Sequence, residues 1–199
     1  MDETRLTLLA DESFAPLLPA LRARLELAGQ SIVPRNFSSI LDEVMRQVMH
    51  KAIEGAGGTE GSVWLADQSS ESLVIVYNTG PNSEKLVGRF KQPLDSGLIS
   101  MVFASEQAFV ENQVFRNSNQ DKSLDSMLGL QTQAMIAIPF YFLEACRGVI
   151  SCVQLTRTGS GRTSPSGFDA ADEAIIRNAA VILGRLIDHW ALRTTVGLV

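Results

Sequence analysis

The sequence predicts an α+β fold, in which helices pack against a central antiparallel sheet of five or six strands. The strongest evidence is the segment Ala134–Arg157, where two apolar runs of strand length are joined by a short polar break. Both runs carry apolar residues at odd and at even positions, which is typical of strands covered on both faces. Shorter strand-like runs precede this hairpin, and amphipathic helices precede and follow the strands. That order of elements favours the α+β class.

Two helices are predicted before the first strand. Apolar residues recur at helical spacing over Ser13–Ala28, behind a serine cap, and Gly29 ends this helix. Residues 30–36 are predicted to be a linker, so we expect residues 1–34 to form an extension without a core of its own. A second helix over Ser38–Glu54 has an apolar stripe wider than one contact requires. We expect that helix to touch both the sheet and another helix.

Three short strands are predicted next, as a meander with turn residues between them: Gly61–Ala66, Ser72–Asn78 and the more polar Leu86–Pro93. Helical spacing resumes at Leu98, behind a cap at Asp95 or Ser96. Ala108–Glu111 is a short apolar segment. Residues 112–126 are rich in Asn, Ser and Asp, and they predict a loop or broken helix that lies over the sheet.

The C-terminal part of the chain is predicted to be one exposed loop and one helix. Residues 158–167 have the composition of a flexible loop. A helix with a broad apolar stripe is expected from Phe168 to Trp190, followed by a tail over residues 191–199. We therefore expect the main domain to span residues 35–190.

Length, charge and cysteine content define the class of protein. The chain of 199 residues is long enough to bury a core, and its net charge of −5 with scattered basic residues argues against nucleic acid as a partner. Its longest apolar run, Ala134–Leu143, is far below the roughly 20 residues of a membrane helix, and the N-terminal apolar run is too short for a signal peptide. The only cysteines, Cys146 and Cys152, suit a reducing compartment. We expect a soluble cytoplasmic protein.

No segment predicts a catalytic or a metal site. His50 and His189 lie on predicted helices with no nucleophile motif beside them, and no pair of residues has the spacing of metal ligands. We interpret Asp121 and Asp125 as solvated loop residues. The sequence therefore predicts neither enzymatic activity nor a metal.

Four pieces of the chain, in their order, resemble a GAF domain over about residues 37–190: Ser62–Asp67, Pro93–Ile99, Ala137–Phe140, and the set of Gly148–Ile150, Gln154–Arg157, Phe168, Asp172 and Glu173. The last piece is similar to the Asn-Lys, Phe, Asp-Glu pattern of GAF domains in cyclic-nucleotide phosphodiesterases. Thr156 and Arg157 stand where that pattern has Asn and Lys, while the later residues keep its spacing. The resemblance implies a GAF-like arrangement, with terminal helices on one face of the sheet.

The resemblance also implies a pocket on the other face. In GAF domains a ligand lies between the sheet and the segments that cover it. Here the cover is Ser96–Ser105 together with residues 112–133, and we call residues 112–133 the lid. Backbone N–H groups at a helix N-terminus attract anions, so Ser96, Gly97 and Leu98 are predicted to hold a phosphate or carboxylate. The alternative is that Asp95 or Ser96 only caps the helix.

Further ligand contacts are implied at the end of the second strand and in the lid. By the resemblance, Tyr77 stacks on a purine, Asn78 pairs with its edge, and Thr132 lines the same pocket. Asn112 and Met127 are additional lid candidates. A cyclic nucleotide is therefore one candidate ligand. The alternative is that Tyr77 is a core residue and Asn78 a turn residue.

Cofactors of other GAF proteins are not expected. The lid contains neither Cys nor His, so the resemblance implies no covalent bilin, no haem, and none of the lid cysteines of GAF-type methionine sulfoxide reductases. It implies a non-catalytic sensor that binds a small molecule and relays binding through its terminal helices. A ligand-free dimerisation module is the alternative, and an enzyme is less favoured.

Two predictions concern the last helix. Arg157 and Asp172 are predicted to form an ion pair that ties the last strand to this helix; the alternative is a ligand-sensing switch. The broad apolar stripes predict a homodimer with Ile182 and Leu186 at its interface. Alternatively, the helix over Ser13–Ala28 covers these stripes within the same chain.

Overall fold

A computed structural model describes residues 12–67, 69, 71–157 and 165–197. Its centre is a six-stranded sheet in which all neighbours are antiparallel, in the order β3-β2-β1-β6-β5-β4. The strands are β1 (Glu60–Asp67), β2 (Ser72–Asn78), β3 (Lys91–Pro93), β4 (Phe109–Glu111), β5 (Leu130–Phe142) and β6 (Ala145–Arg157). The predicted α+β class and sheet are thus confirmed.

The helices in the described part of the chain are α1 (Leu18–Ser31), α2 (Pro34–Ile40), α3 (Glu43–Gly55), α4 (Ser83–Leu86), α5 (Leu98–Ser105), α6 (Ser123–Leu128) and α7 (Ala170–Thr195). Two 3-10 turns, at Glu12–Leu17 and Val114–Arg116, complete the elements. None of the helices in these ranges has the length and hydropathy needed to cross a membrane.

The β5–β6 hairpin separates two cores by the alternation of its residues. Ile138 and Ile150 are paired across the hairpin and face the helices, whereas Ala137 and Val149 belong to the core on the lid face. Gly148 in β6 lets β1 approach closely, because a Cβ there would overlap the carbonyl oxygen of Trp64. The prediction of a hairpin buried on both faces is therefore confirmed.

Helices α2, α3 and α7 cover one face of the sheet. The largest fully buried side chains of this core come from these helices and from the sheet: Phe37, Met49, Leu65, Phe140, Phe142, Ile136, Ile150, Ile176 and Leu183. Gly184 lies against the carbonyl oxygen of Tyr141, so α7 packs close to β5. The terminal helices thus lie on one face, as predicted.

The N-terminal extension packs on this chain's own helices, since α1 contacts α7. Its buried Gly29 lies against the side chains of Arg147 and Leu143. The predicted helix start is different, because Ser13 lies in a 3-10 turn and the side chain of Phe14 lies outside the described residues.

The predicted linker over residues 30–36 is wrong. Residues from Pro34 onward form α2, which starts with proline at its first position, and the Asn36 side chain accepts a hydrogen bond from the Val33 N–H (2.9 Å). The predicted helix over Ser38–Glu54 is divided at Asp42. The Asp42 carboxylate accepts from the N–H of Met45 (2.8 Å) and begins α3 as a new helix.

Other boundaries also differ from the predictions. The third predicted strand, Leu86–Pro93, is a strand only from Lys91, because its first part ends α4 and turns at Gly88 with φ of +71°. The last helix starts at Ala170, capped by Asp169, and reaches Thr195, beyond the predicted end at Trp190. Most of the predicted loop over residues 158–167 lies outside the described residues.

Candidate ligand-binding site

A cavity of about 70 Å³ lies between the sheet and its cover. The sheet contributes Glu60, Ser62, Trp64, Asn78, Leu130, Thr132, Met135, Ser151, Val153 and Leu155. The rest of the lining is Leu86 of α4, Gln92 of β3, and the cover residues Leu98, Ile99, Gln120, Asp121, Leu124, Asp125 and Leu128. Polar and apolar side chains thus both line the cavity.

A row of polar side chains crosses the floor of the cavity. Ser62 of β1 is paired with Asn78 of β2 on one side and with Ser151 of β6 on the other. The Asn78 Nδ2 donates to Ser62 Oγ (3.0 Å), and the Trp64 indole Nε1 donates to Ser151 Oγ (3.0 Å). These hydrogen bonds satisfy polar groups that are buried in the sheet, as burial requires.

Two β-bulges determine which polar residues face the cavity. In β2 the register shifts so that Tyr77 pairs with Val63 and Ile75 with Trp64, which leaves Val76 as an extra residue. In β5 the extra residue is Gln133, since Thr132 pairs with Leu155 and Ala134 with Gln154. A bulge reverses the alternation of faces beyond it.

The bulges change which face of the sheet the neighbouring side chains occupy. Leu73 and Ile75 face the lid, yet Tyr77 faces the helices and Asn78 lines the cavity. Likewise Thr132 lines the cavity although Ala134 belongs to the helix-side core. Both of these polar cavity residues are therefore placed by an interruption of the regular strand pattern.

Glu60 is the most unusual residue of the floor. Its side chain is only 6% exposed, and it takes part in none of the ion pairs found among the described residues. Burial raises the pKa of its carboxyl group, and a hydrogen bond from Asn78 partly opposes that increase. Gly80 packs against this carboxyl group, where a Cβ would overlap it.

The lid is attached to the sheet through Asp125. Its carboxylate accepts hydrogen bonds from the Thr132 backbone N–H (2.8 Å) and hydroxyl (2.7 Å). The Gln120 Nε2 also donates to Asp125 Oδ2 (2.9 Å). α6 is thereby held over the start of β5 by hydrogen bonds to an ionisable group, which are stronger than neutral ones.

A second polar attachment joins the lid to β3. The Gln92 Nε2 donates to Asp121 Oδ2 (3.1 Å) and to the carbonyl oxygen of Ser96 (2.8 Å). The pKa of Asp121 is lowered, first by hydrogen bonds from Ser123 and then by the one from Gln92. The interpretation of Asp121 and Asp125 as solvated loop residues is therefore incomplete, because both are half-buried and accept specific hydrogen bonds, and Asp125 lies in α6.

The Gln92 amide packs beside the predicted anion site at the start of α5, and anion binding there stays a prediction. Gly97 is the N-cap with φ of +86°, and the Gln92 amide lies directly against it. Of the three predicted residues only Leu98 lines the cavity; Ser96 is exposed, and its carbonyl oxygen positions Gln92. Neither alternative cap is formed, since no side chain caps α5.

Three predicted ligand contacts lie elsewhere. Tyr77 belongs to the helix-side core and contacts His50 edge to face, with ring centroids 6.2 Å apart. Asn112 holds the segment before α7 by donating to the carbonyl oxygen of Phe168 (3.0 Å) and accepting from its N–H (2.8 Å). Met127 is 53% exposed and does not line the cavity.

The cavity lining includes Asn78, Leu98 and Thr132 from the predicted set. Their contact with a ligand stays a prediction. Sequence reasoning missed Glu60 and Gln92. Glu60 could have been found from its position two residues before Ser62, since alternate residues of a strand share a face.

The predicted ion pair between Arg157 and Asp172 is not formed. The ion pairs in the described ranges are Lys91–Asp67 (3.9 Å) and Arg177–Glu173. Asp172 instead completes a capping box, in which its carboxylate accepts from the Asp169 N–H (2.9 Å). Its position in the first turn of α7 explains this role.

The thiols and imidazoles lie away from the cavity. Burial raises the pKa of Cys152 to about 12 on the helix side, and burial also raises the pKa of Cys146 near the hairpin turn. His50 and His189 are exposed on α3 and α7. Among the described residues, no three His, Cys, Asp or Glu side chains are grouped as metal ligands.

Comparison with known proteins identifies the fold. No family model matches the sequence, and no curated protein matches it. The structure is similar to the GAF domain of a phosphoenolpyruvate-protein phosphotransferase from Coxiella burnetii, with a TM-score of 0.62 and 18% identity over 92% of this chain and 97% of that one. The corresponding domain from Acinetobacter has a TM-score of 0.58 and 15% identity, over 92% and 98%.

An enzyme is also among the similar structures. The free methionine-R-sulfoxide reductase from Neisseria meningitidis, solved with its substrate, has a TM-score of 0.54 and 17% identity over 94% of this chain and 95% of that one. The predicted GAF fold is confirmed by these structures. At such identities they establish the fold and not the activity.

Proposed function

We propose that this GAF-fold chain is a non-catalytic sensor or regulatory domain, which binds a small molecule between the sheet and the lid. The observation that carries the proposal is the partly covered cavity, with buried polar groups on its floor and a lid attached to the sheet by hydrogen bonds. Concave sites with a few convergent polar groups are where proteins bind small molecules.

The size of the cavity favours coupling between binding and lid movement. Its volume of about 70 Å³ is well below the roughly 300 Å³ at which ordinary ligand pockets begin. For a larger ligand to be fully covered, the lid must move outward, which breaks the Asp125–Thr132 or the Asp121–Gln92 hydrogen bonds. A ligand shifts the population of lid positions only by its differential affinity for them.

The relay to the terminal helices has a direct physical route. The lid continues into β5, α7 packs on β5, and the Leu143 N–H after β5 donates to Asp188 of α7 (2.6 Å). A displacement of β5 at its lid end would therefore be transmitted to α7.

Catalysis is not part of the proposal because the hydroxyl that lies beside a carboxylate in the described lining, Thr132 on Asp125, is part of the attachment that holds the lid. The ionisable groups of this lining are carboxyls, and two of these, Asp121 and Asp125, accept hydrogen bonds that hold the lid. The thiols have raised pKa values and lie outside the lining, which disfavours thiolate chemistry. The similarity to a reductase therefore does not extend, in our proposal, to its activity.

The test is the thermal midpoint of the chain against a panel of nucleotides, amino acids, organic acids and amines. A compound that binds only the native state must raise the midpoint. We expect at least one class to do so, and Ser151→Leu, which fills the floor, to abolish the rise. Tyr77→Phe on the opposite face is the matched control and should keep it. No rise with any class would contradict the proposal.

Homodimer formation is the second candidate property. Val44 of α3 and Val181 and Ile182 of α7 are about half exposed or more, at 59%, 50% and 47%, although α1 packs on α7 within the chain. Leu186 is partly buried and packs on the core. We propose that the exposed side chains of α3 and α7 meet a second copy.

Ile182→Asp tests this interface by sedimentation equilibrium. A charge at an apolar interface is costly to desolvate, so we expect the variant to be monomeric where the parent protein is dimeric. Met127→Asp, which changes a similarly exposed side chain of the lid, is the control and should remain dimeric. A parent protein that is monomeric, or a dimer unaffected by Ile182→Asp, would refute the interface.

A further inference from the structure

The charge of the cavity lining has one sign. Glu60, Asp121 and Asp125 contribute carboxyl groups, and within the described part of the chain no Lys, Arg or His lines the cavity. Asp121 has a lowered pKa, because Ser123 and Gln92 donate to it, and is therefore ionised at neutral pH. A ligand phosphate would have to approach this surface without a counter-ion.

The donors of the lining are largely engaged within the protein. Gln92 donates both amide hydrogens, to Ser96 and Asp121, and the Thr132 hydroxyl donates to Asp125. The Asn78 amide donates to Ser62. These groups are consequently unavailable as donors to an anionic ligand.

The acceptors are less fully engaged. The Oε1 atom of Gln120 is buried and has no hydrogen-bond partner, and this side chain lines the cavity. Glu60 is 6% exposed, and its carboxyl forms no ion pair among the described residues. Leaving such acceptors buried and incompletely paired is unfavourable, so a donor from outside the chain would stabilise both.

The rest of the wall limits the body of the ligand. Most of it is formed by apolar side chains, from both the sheet and the cover: Trp64, Leu86, Leu98, Ile99, Leu124, Leu128, Leu130, Met135, Val153 and Leu155. A cavity of about 70 Å³ admits only a short apolar group next to the polar floor. The remaining volume is thus suited to a few carbon atoms.

We propose that the cavity takes a small organic cation, in which a primary ammonium or guanidinium group is carried on a short apolar body. The cationic group donates hydrogen bonds to Glu60 and Gln120, and the apolar body contacts the leucines of the cover. This inference rests on the proposed function, since it names the ligand class of the same cavity. It replaces a cyclic nucleotide as the expected ligand.

The test is a series of three four-carbon probes that differ in head-group charge: n-butylammonium, 1-butanol and butyrate, at constant ionic strength and pH 7.5. The readout is the indole Nε1–H resonance of Trp64, which lines the cavity, in a ¹⁵N correlation spectrum. Trp190 of α7 packs in the other core and is the internal control. We expect n-butylammonium to shift only the Trp64 resonance, with a Kd at least tenfold lower than that of butyrate.

Glu60→Gln keeps the shape of the side chain and removes its charge. We expect this variant to bind n-butylammonium at least tenfold more weakly and to bind 1-butanol unchanged. Glu54→Gln, at an exposed position of α3, removes the same charge away from the cavity and should bind as the parent does.

The outcomes separate the two proposals. If 1-butanol or butyrate shifts Trp64 at equal or lower concentration than n-butylammonium, the cavity binds small molecules but the cationic class is wrong. The same conclusion follows if Glu60→Gln binds n-butylammonium as tightly as Glu54→Gln. If no probe up to 100 mM shifts Trp64, the cation proposal fails, and the proposed binding function is decided separately by the thermal-midpoint panel.

Discussion

The two faces of the sheet are built from neighbouring residues of the same strands, yet they are closed in different ways. On the helix face, α2, α3 and α7 cover a continuous apolar core in which Phe140 and Leu183 are fully buried. On the lid face, short elements are held through Asp121 and Asp125 and leave a cavity with polar residues on its floor. The comparison indicates that stability resides mainly in the first face, and adaptation to a ligand in the second.

The largest expected effect is on the helix face. Phe140→Ala should lower the free energy of unfolding by about 3–5 kcal/mol, because it removes a fully buried ring and leaves a cavity between β5 and α7. Leu124→Ala, at a partly buried lid position, should cost clearly less. Urea denaturation of both variants measures the difference, and equal losses would refute the division between the faces.

The attachment of the lid should have a smaller but local effect. Asp125→Ala removes the acceptor of three hydrogen bonds and leaves the Thr132 N–H and the Gln120 amide without it, at a cost of about 1–3 kcal/mol. Hydrogen exchange should show faster opening over residues 120–132 and unchanged exchange in α7. Uniform acceleration across both regions would mean that the lid is not an independent unit.

The buried carboxyl of Glu60 gives the lid face a pH dependence. Its pKa is raised on folding, so between the unfolded and the folded pKa the native state keeps the carboxyl proton that the unfolded state has lost. The free energy of unfolding therefore falls as the pH rises from the unfolded pKa through the folded pKa. Glu60→Gln lacks that loss and should melt at a higher temperature than the parent at pH 7.5. The difference should shrink as pH is lowered towards 4.5.

Melting curves of the parent and Glu60→Gln at several pH values measure this effect. The carboxyl of Asp188 also has a pKa raised by burial, but it is present in both proteins and cancels in the difference. A Gln variant that is less stable than the parent at pH 7.5 would show that the charge of Glu60 is compensated in the folded protein.

The smallest effects are expected at the predicted contacts that lie outside the cavity. Met127→Ala changes an exposed side chain and should alter stability by no more than about 0.5 kcal/mol. Its Trp64 resonance should respond to n-butylammonium as the parent's does. A tenfold loss of affinity for n-butylammonium would show that Met127 contributes to the site.

The sequence predicted the hairpin, β2 and α5 because their burial follows from local alternation or helical spacing. It did not predict the division at Asp42, since one capping carboxylate outweighed a continuous apolar stripe. The site was predicted only in part. Asn112 bonds Phe168, 56 positions away, and Asp121 bonds Gln92, 29 positions away, and such partners are not visible in local pattern.

Tyr77 shows a different limit of sequence reasoning. The alternation that places Leu73 and Ile75 on the lid face would also place Tyr77 there. An extra residue between Ile75 and Tyr77 makes that assignment wrong. The bulge at Val76 depends on pairing with β1, which the sequence of β2 alone does not specify. Tertiary pairing thus decided which of two neighbouring polar residues enters the cavity.

The two bulges have a consequence for deletions in this chain. Val76 and Gln133 are each the extra residue of their strand, so removing either one restores regular alternation and leaves the flanking side chains on their present faces. Removing a residue from a regular part of the same strand, such as Ala137, would exchange the faces of every residue on one side of the gap. Among distant homologues, single-residue gaps at these two positions are therefore compatible with the same cavity, whereas single-residue gaps in the regular parts of these strands are not.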